Sequence, residues 1–300
     1  SPAPQTALWL LDDGRAGHTQ LSLGLAQLWQ RRLQPTATMH RYRWLPPAKI
    51  IVSTLRRLRY FEYSFVKLAH HSLPLPPTDL PVDAILFGSG IASLLLGQYW
   101  LHTAVPRGQL FWVGDAKRTC LHPHTRILYW HSAALKRFAT QTIYSPLLPA
   151  PTHMHWPAPH NWPLTLCVGG STREVPFGTA DWATLLDRFA LFCQQQGERG
   201  QVLLSRRSPI DYLQKLAQPY THLFKLNLPE QASPPFHFPA SPNFNLPLWI
   251  TADSLSMLNE ALWHGWAVQA ILPRAGVLPS FHAQMLRYWE QESWIQIIDI

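Results

Sequence analysis

The sequence predicts a mixed α/β fold built from two domains of similar size. The chain has 300 residues, and a domain of about 150 residues is ordinary. In both halves, short apolar runs alternate with segments of helical periodicity, a pattern typical of βαβ units around a parallel sheet. Prolines cluster at positions 146, 149, 151, 157, 159 and 163, between the two halves. We therefore predict Rossmann-like domains at residues 1–145 and 164–300, joined by a proline-rich linker over residues 146–163 and facing each other across a ligand-binding cleft.

The N-terminal half opens with a predicted strand at residues 7–11, followed by a glycine-containing turn. Leucines then recur at helical spacing between His18 and Arg32. The apolar stretch 84–101 is interrupted by glycines and polar residues, so it predicts a strand, a turn and a buried helix rather than a membrane span. Strands predicted in this half also include residues 84–87, 110–113 and 127–130.

The C-terminal half repeats this alternation of strands and helices after the linker. The predicted strands are residues 164–168, 201–204, 248–251 and 267–272. The predicted helices are residues 180–196, a helix that starts after Ser254, and residues 280–291. A second proline-rich stretch occupies residues 229–247.

The composition limits the class of partner. The net charge is +8, which suits a nucleic acid, an anionic membrane or a phosphorylated substrate. Many of the cations and aromatic residues alternate in one segment: Arg41, Tyr42, Arg43, Trp44, Lys49, Arg56, Arg57, Arg59, Tyr60, Phe61, Tyr63, Phe65 and Lys67. This segment is either a surface that contacts the inner membrane or a solvated helix face beside core aromatics. We do not expect a nucleic-acid partner.

The cysteines and the N-terminus predict a cytoplasmic protein. Cys120, Cys167 and Cys193 are widely separated, which is typical of a reducing compartment rather than a disulfide framework or zinc site. No basic segment followed by an apolar segment opens the chain, so no signal peptide is expected. Peripheral association with the inner membrane is the open alternative.

The first candidate site follows the first strand. Asp13, Gly14, Arg15, Gly17 and His18 place an acid, a cation and an imidazole at one strand end. His18 is a candidate general base, because an imidazole titrates near neutral pH, and Asp13 is its alternative. A capping or packing histidine is the competing interpretation. The motif lacks the G-x-G-x-x-G dinucleotide fingerprint.

The second candidate site combines a glycine turn with paired cations. Gly169, Gly170 and Ser171 follow one predicted strand, and Arg206 and Arg207 follow the next. Free N–H groups at a helix N-terminus bind anions, and guanidinium groups bind phosphate through two hydrogen bonds. The pattern predicts a diphosphate site, unless the arginines simply lie on a solvated loop.

The third candidate site follows the strand at residues 248–251. Asp253 or Ser254 would cap the next helix. Ser254 and Ser256 can donate hydroxyl hydrogen bonds to a phosphate, and Glu260, one turn beyond Ser256, can accept hydrogen bonds from a ribose.

Three segments, residues 13–26, 205–209 and 251–261, resemble the ELM1-like family, named for a plant mitochondrial fission factor and widespread in bacteria. That family is similar to the two-lobed GT-B glycosyltransferases. Residues 13–26 also resemble the first loop of the peptidoglycan enzyme that adds N-acetylglucosamine to a lipid-linked intermediate. The resemblance implies an acceptor-side loop at Gly14, Arg15 and Gly17. It also implies donor-site roles for Gly169, Gly170, Ser171, Arg206, Ser254, Ser256 and Glu260.

We therefore predict a GT-B glycosyltransferase that moves a sugar from a nucleotide-diphosphate sugar to an envelope glycan, such as lipopolysaccharide, or to a lipid-linked acceptor. No cofactor and no metal are expected, since neither a Walker loop nor a paired-aspartate motif is present. Two alternatives remain open. One is a non-catalytic, membrane-associated adaptor with the same fold, and the other is a nucleotide-sugar epimerase.

Overall fold

The computed structural model describes residues 7–57, 62–115, 121–130, 141–151, 163–229 and 246–300. It divides into two compact units, Ser1–Thr152 and His153–Ile300. In the described residues, each unit contains one six-stranded sheet in which neighbouring strands are parallel. The predicted α/β class with two Rossmann-like domains is confirmed. Most of the predicted linker, and of the second proline-rich stretch, lies outside the described residues.

The N-terminal unit has strand order β2-β1-β3-β4-β5-β6. Its elements are β1 (Ala7–Asp12), α1 (Ala16–Leu33), β2 (Thr38–Arg43), α2 (Lys49–Arg57), α3 (Glu62–Ser72), β3 (Ile85–Ser89), α4 (Ile91–Thr103), β4 (Gln109–Val113), β5 (Thr125–Trp130) and β6 (Thr142–Ser145). The apolar stretch 84–101 forms a strand, a turn and a buried helix, as predicted.

Both faces of this first sheet are covered. Leu8 and Leu10 of β1 join a cluster with residues of α1, whereas Trp9 and Leu11 join a second cluster with residues of α4. A continuous apolar strand with two buried faces is typical of a parallel sheet between helical layers. This is why β1 was recognisable from its run of apolar residues.

The C-terminal unit has strand order β9-β8-β7-β10-β11-β12. Its elements are β7 (Thr165–Val168), α5 (Thr179–Gln196), β8 (Gly200–Leu204), α6 (Ile210–Ala217), β9 (Phe224–Asn227), β10 (Leu248–Thr251), α7 (Leu255–Trp263), β11 (Val268–Leu272), α8 (Phe281–Gln291) and β12 (Ile295–Asp299). Counted from β7, this is the 3-2-1-4-5-6 order of a doubly wound nucleotide-binding fold.

The order of the strands defines a switch point in each unit, where successive connections change direction along the sheet. In the first sheet it lies between β1 and β3, and in the second between β7 and β10. Ligands of such folds bind beside the carboxyl ends of the strands at this point. The strand ends there lead into residues 12–18 and 89–92 in the first unit, and 169–171 and 252–256 in the second.

The basic and aromatic segment is only partly described. Trp44 and Phe65 are buried, and Tyr42 packs edge-on against Trp100 with ring centroids 4.9 Å apart. The exposed cations of the segment are Arg41, Arg43, Lys49 and Lys67. Arg59, Tyr60 and Phe61 lie outside the described residues. The aromatic side chains of Trp44 and Phe65 thus belong to the core, and membrane contact stays a prediction.

None of the helices in the described ranges is long and apolar enough to span a membrane.

Candidate functional site

Asp13 and His18 form a hydrogen-bonded pair at the switch point of the first sheet. Oδ2 of Asp13 lies 2.8 Å from Nδ1 of His18, and the side chain of Asp13 is only 2% exposed against 31% for His18. The other carboxylate oxygen accepts the N–H of Arg15 at 3.1 Å. A carboxylate accepts hydrogen bonds, so Nδ1 carries the proton and Nε2 keeps its lone pair. Among the described residues, Nε2 makes no hydrogen bond. The pair therefore has the arrangement of an oriented general base.

The neighbouring Asp12 holds this loop in place. Its Oδ1 accepts from Gly14 N–H at 2.9 Å and from the Thr19 hydroxyl at 2.6 Å. Its Oδ2 accepts from Nε of Arg41 at 2.9 Å. Burial by itself would raise the pKa of Asp12, but the hydrogen bonds from Thr19, Gly14 and Arg41 outweigh it and lower that pKa. Asp12 is thus a structural carboxylate, and Asp13 faces the site.

The acceptor-side residues predicted from sequence lie around this pair. Gly14 has a φ of +78°, a left-handed conformation that glycine adopts readily. Arg15 is the residue before α1, and its side chain is exposed. Gly17 lies in the first turn of α1, and a Cβ there would meet nothing within 4 Å.

A second loop at the switch point supports the ring of His18. Gly90 precedes α4 with a φ of +84°, and a Cβ at this position would lie 2.4 Å from two atoms of the His18 ring. The carbonyl of Gly90 accepts the indole N–H of buried Trp112 at 2.9 Å, and Ser89 donates its hydroxyl to the carbonyl of Val113 at 2.8 Å. Strand β4 therefore positions the turn that supports His18.

A cavity of about 530 Å³ opens beside the Asp13–His18 pair within the N-terminal unit. Its walls are mostly apolar and aromatic and include Pro46, Ile91 and Trp130, while Lys49 adds a cation. The pocket is thus wide enough for one sugar-sized group and has a base at one wall.

Tyr129 also lines this cavity, and sequence reasoning did not identify it. Burial, together with the nearby negative charge of Asp115, raises the pKa of Tyr129 to about 12. The phenol stays neutral and can donate a hydrogen bond at physiological pH. No signal in the sequence distinguishes it from the other tyrosines, because β5 brings it to the cavity only through the tertiary fold.

In the C-terminal unit, the glycine turn packs directly against Asp253. A Cβ at Gly169 would lie 2.4 Å from both carboxylate oxygens of Asp253. The N–H of Gly169 donates to the Thr251 hydroxyl at 2.7 Å, and that hydroxyl donates to Oδ1 of Asp253 at 2.7 Å. The first glycine of the predicted diphosphate turn thus has its N–H engaged within the protein.

The two predicted arginines have different environments. Arg207 is an ion-pair partner, with Nη2 at 3.1 Å from Oδ2 of Asp253, and its side chain is half-exposed. Its backbone also packs on Gly170, where a Cβ would lie 2.7 Å from the Arg207 carbonyl oxygen. Arg206 is exposed, and its guanidinium makes no hydrogen bond or ion pair to any described residue. Of the two, Arg206 is the one whose cation is free for a ligand.

Serine side chains fasten the arginine loop to the end of β7. The Ser208 hydroxyl donates to the carbonyl of Val168 at 2.8 Å, and the Ser205 hydroxyl donates to the carbonyl of Gly169. Ser171 is exposed, and its hydroxyl accepts the N–H of Phe177 at 3.0 Å. The structure therefore brings the predicted glycine turn and the arginine loop together.

The third predicted motif begins α7 at the same switch point. Ser254 occupies the N-cap position, but its side chain makes no capping hydrogen bond, which corrects the expected cap. Its hydroxyl lies 3.2 Å from that of exposed Ser256. Glu260 lies one turn further and is half-buried. Burial of the Cys167 thiol raises the pKa of that thiol, and the negative charge of Glu260 raises it further.

His282, which sequence reasoning missed, also lies at this switch point. It belongs to the first turn of α8, and its Nε2 donates to the carbonyl of Ala252. Burial lowers the pKa of His282 and the charge of Arg207 lowers it further, against the opposing effects of Ala252 and Glu174. The imidazole is therefore neutral at neutral pH.

No group of three or more histidine, cysteine, aspartate or glutamate side chains in the described ranges is arranged to hold a metal ion. The histidine pair at positions 153 and 155 lies outside those ranges.

A family model describes most of the second unit. Residues 150–287 match the model of mitochondrial fission ELM1. The ELM1 match includes the glycine turn, the arginine loop and the motif at residues 251–261, whereas the motif at residues 13–26 lies before the matched range. The resemblance identified from the sequence is confirmed over this range.

Solved structures of two glycosyltransferases are similar to this chain. CalG4, the calicheamicin glycosyltransferase, has a TM-score of 0.47 and 10% identity, with 99% of this chain and 86% of that chain covered. The E. coli heptosyltransferase WaaC with ADP has a TM-score of 0.45 and 9% identity, with 98% and 93% covered. No curated protein matches the chain.

Proposed function

We propose that this protein is a glycosyltransferase that moves a sugar from a nucleotide-diphosphate sugar to a hydroxyl group of an acceptor. The proposed acceptor is an envelope glycan or a lipid-linked saccharide. The observation that carries the proposal is the Asp13–His18 pair at the cavity of the N-terminal unit. A pair with a buried carboxylate on Nδ1 and a free Nε2 is built for proton abstraction from a bound hydroxyl.

The proposed donor site lies at the switch point of the C-terminal unit. Arg206 supplies a guanidinium that makes no hydrogen bond or ion pair to any described residue, and the start of α7 supplies the Ser254 and Ser256 hydroxyls. Such groups stabilise the negative charge that develops on a leaving nucleoside diphosphate. Glu260 is the candidate partner of the ribose hydroxyls.

In the proposed reaction, Nε2 of His18 takes the proton of the acceptor hydroxyl while the acceptor oxygen bonds to the anomeric carbon. The bond between that carbon and the diphosphate oxygen breaks, and the nucleoside diphosphate leaves with the electron pair. Asp13 stabilises the imidazolium that forms on His18. The cavity walls orient the acceptor, which lowers the entropic part of the barrier.

Thermal unfolding with a panel of nucleoside diphosphates and sugar nucleotides tests the donor site first. A ligand at 100 times its dissociation constant should stabilise the folded protein by about 2.7 kcal/mol. We expect one base to give this shift, and we expect Arg206→Ala or Glu260→Ala to reduce it by about half or more. If no sugar nucleotide shifts the unfolding temperature, the donor site is refuted and the non-catalytic adaptor becomes the better hypothesis.

A further inference from the structure

The Asp253 carboxylate packs directly against the glycine turn of the proposed donor site. Its side chain is fully buried, and both of its oxygens lie within 2.4 Å of the place that a Gly169 side chain would take. Oδ1 accepts the hydroxyl of Thr251, the backbone N–H groups of Gly170 and Asp253 also donate to the carboxylate, and Oδ2 lies in the ion pair with Arg207. A carboxylate in such a place depends strongly on its single cation.

The guanidinium of Arg207 is also accessible to solvent. The Arg207 side chain is 52% exposed, and the loop that carries it also carries the unpaired Arg206 toward the proposed diphosphate site. Guanidinium groups bind phosphate oxygens readily. A bound diphosphate would therefore compete with Asp253 for Arg207 and would add negative charge near a carboxylate that water cannot reach.

We propose that binding of a nucleotide-diphosphate sugar to the C-terminal unit is coupled to the uptake of one proton from solvent by Asp253. The inference rests on the proposed donor site and concerns its regulation. In the free protein the carboxylate is balanced by Arg207, and in the complex it becomes a neutral carboxylic acid that still accepts from Thr251. No covalent bond forms or breaks apart from the O–H bond on Asp253.

The direction of titration agrees with this coupling. Burial raises the pKa of Asp253 and outweighs the lowering effects of the Thr251 hydrogen bond, the Arg207 charge and the backbone hydrogen bonds from Gly170 and Asp253. The pKa of Asp253 is thus already raised in the free protein, which favours the protonated form. Loss of the ion pair with Arg207, or the approach of a negatively charged phosphate, raises the pKa of Asp253 further.

Other charged and titratable groups approach Asp253 from the surrounding elements. Arg207 comes from the loop after β8, and His282 comes from α8 through its bond to Ala252. Glu174, in the loop after β7, acts on His282, and Glu260 of α7 acts on Cys167 of β7. His282 is the one competitor for a proton near neutral pH, so the experiment must separate it from Asp253.

Calorimetric titration of the full chain with UDP-glucose, ADP-glucose and GDP-mannose counts the protons. These probes lack the terminal phosphate monoester that titrates near pH 6, so protons exchanged on binding belong to the protein. Measurement at one pH in two buffers of different ionisation enthalpy gives the number taken up. We expect about one proton, and an affinity that falls as the pH rises, by up to about tenfold per pH unit.

Three variants identify the side chain that takes up the proton when the ligand binds. Asp253→Asn should bind without proton uptake. Asp181→Asn removes another buried carboxylate of the same unit, one whose oxygens accept the backbone N–H groups of Gly178 and Arg274, and should keep the uptake. His282→Gln should also keep it. Loss of uptake in His282→Gln, or its persistence in Asp253→Asn, overturns the inference.

Infrared difference spectra of the wild-type protein decide the matter if Asp253→Asn does not fold. Binding should then add the C=O band of a protonated carboxyl group. Proton uptake without this band overturns the inference, because it is the result that an imidazole would give. Binding without any proton uptake overturns the coupling alone, whereas failure of all three probes to bind the wild-type protein overturns the donor site as well.

Discussion

The imidazole of His18 lies against the backbone of Gly90, so closely that a Cβ at position 90 would be 2.4 Å from its Nδ1 and Cε1 atoms. Strand β1 and α1 bring His18 to this place, and β3 and α4 bring Gly90. The indole of Trp112 then fixes the Gly90 carbonyl from β4. The position of the proposed base therefore depends on a missing side chain in a different part of the chain.

Gly90→Ala should reduce glycosyl transfer by displacing His18. The new methyl group clashes with the ring, and the φ of +84° is unfavourable for alanine. We expect a loss of turnover approaching that of His18→Ala, about 10²-fold or more, which is typical of removing a general base. Steady-state kinetics with sugar nucleotide and acceptor would measure it, and nucleotide affinity should stay nearly unchanged in both variants.

Gly17→Ala is the matched control for this prediction. Gly17 precedes His18 directly, yet a Cβ there meets nothing within 4 Å and its backbone is helical. Turnover should therefore remain close to wild type. If Gly17→Ala and Gly90→Ala had equal activity, the contact between Gly90 and His18 would have no catalytic importance. If His18→Ala abolished nucleotide binding, the assignment of His18 to the acceptor side would be wrong.

Arg206→Ala and Arg207→Ala should separate ligand binding from stability. Arg206 has no partner among the described residues, so its removal should leave the free energy of unfolding within about 0.5 kcal/mol of wild type. The dissociation constant of the sugar nucleotide should rise about tenfold or more, as expected for a lost charged hydrogen bond. Binding and urea unfolding, measured on the same preparations, test this.

Arg207→Ala should instead destabilise the protein, by about 1–3 kcal/mol, because it leaves the buried Asp253 carboxylate without its cation. The loss should shrink at acidic pH, where Asp253 is protonated. Equal stability of the two arginine variants at neutral pH would contradict the distinction that the structure makes between them.

The stability of the N-terminal unit should depend on Asp12 in acid. The folded pKa of Asp12 is lowered, so the folded state binds fewer protons than the unfolded state below the unfolded pKa of about 3.9. The stability that Asp12 supplies is therefore present above that value and is lost as the pH falls through the folded pKa. Asp12→Asn should cost about 1–3 kcal/mol at neutral pH and little in strong acid, which urea unfolding at several pH values would show.

Asp253 should change the pH dependence of the free energy of unfolding in the opposite direction. Its folded pKa is raised, so the folded state keeps its proton to a higher pH than the unfolded chain, and stability falls as the pH rises from the unfolded value through the folded pKa. Asp253→Asn should remove this decrease from the unfolding profile. A profile in which Asp12→Asn and Asp253→Asn changed the slope in the same direction would contradict one of the two assignments.

Leu45 is the residue through which membrane contact can be tested. It is 92% exposed, and Arg43 and Lys49, both exposed, lie close in the chain. If this surface binds anionic lipid, Leu45→Glu should weaken sedimentation with phosphatidylglycerol vesicles about tenfold or more, since burial of one leucine contributes about 1.5–3 kcal/mol. Leu191→Glu is the control, because Leu191 is also exposed, at 52%, but lies on α5. Equal sedimentation of the two variants and wild type would assign Leu45 to an ordinary solvated surface.

Local patterns were sufficient for the elements that are buried on both faces. The predicted strand at residues 248–251 coincides with β10, and the predicted strand at residues 7–11 differs from β1 by one residue. In contrast, β2 (Thr38–Arg43) was not predicted, because it is an edge strand with a charged and mostly exposed sequence. Its identity depends on pairing with β1, which no short window of sequence contains.

For the candidate site, the sequence by itself determined the chemical groups and the strand ends at which they occur. Asp13, His18, Arg206 and Ser256 were identified this way, because catalytic and phosphate-binding groups follow the strands of a parallel sheet. Only the tertiary structure decided which groups are free and which are engaged. The ion pair of Arg207 with Asp253 joins side chains from the loops that follow β8 and β10, whereas Arg206 has no partner among the described residues. Such contacts depend on how the strands are ordered in space rather than on their order along the chain.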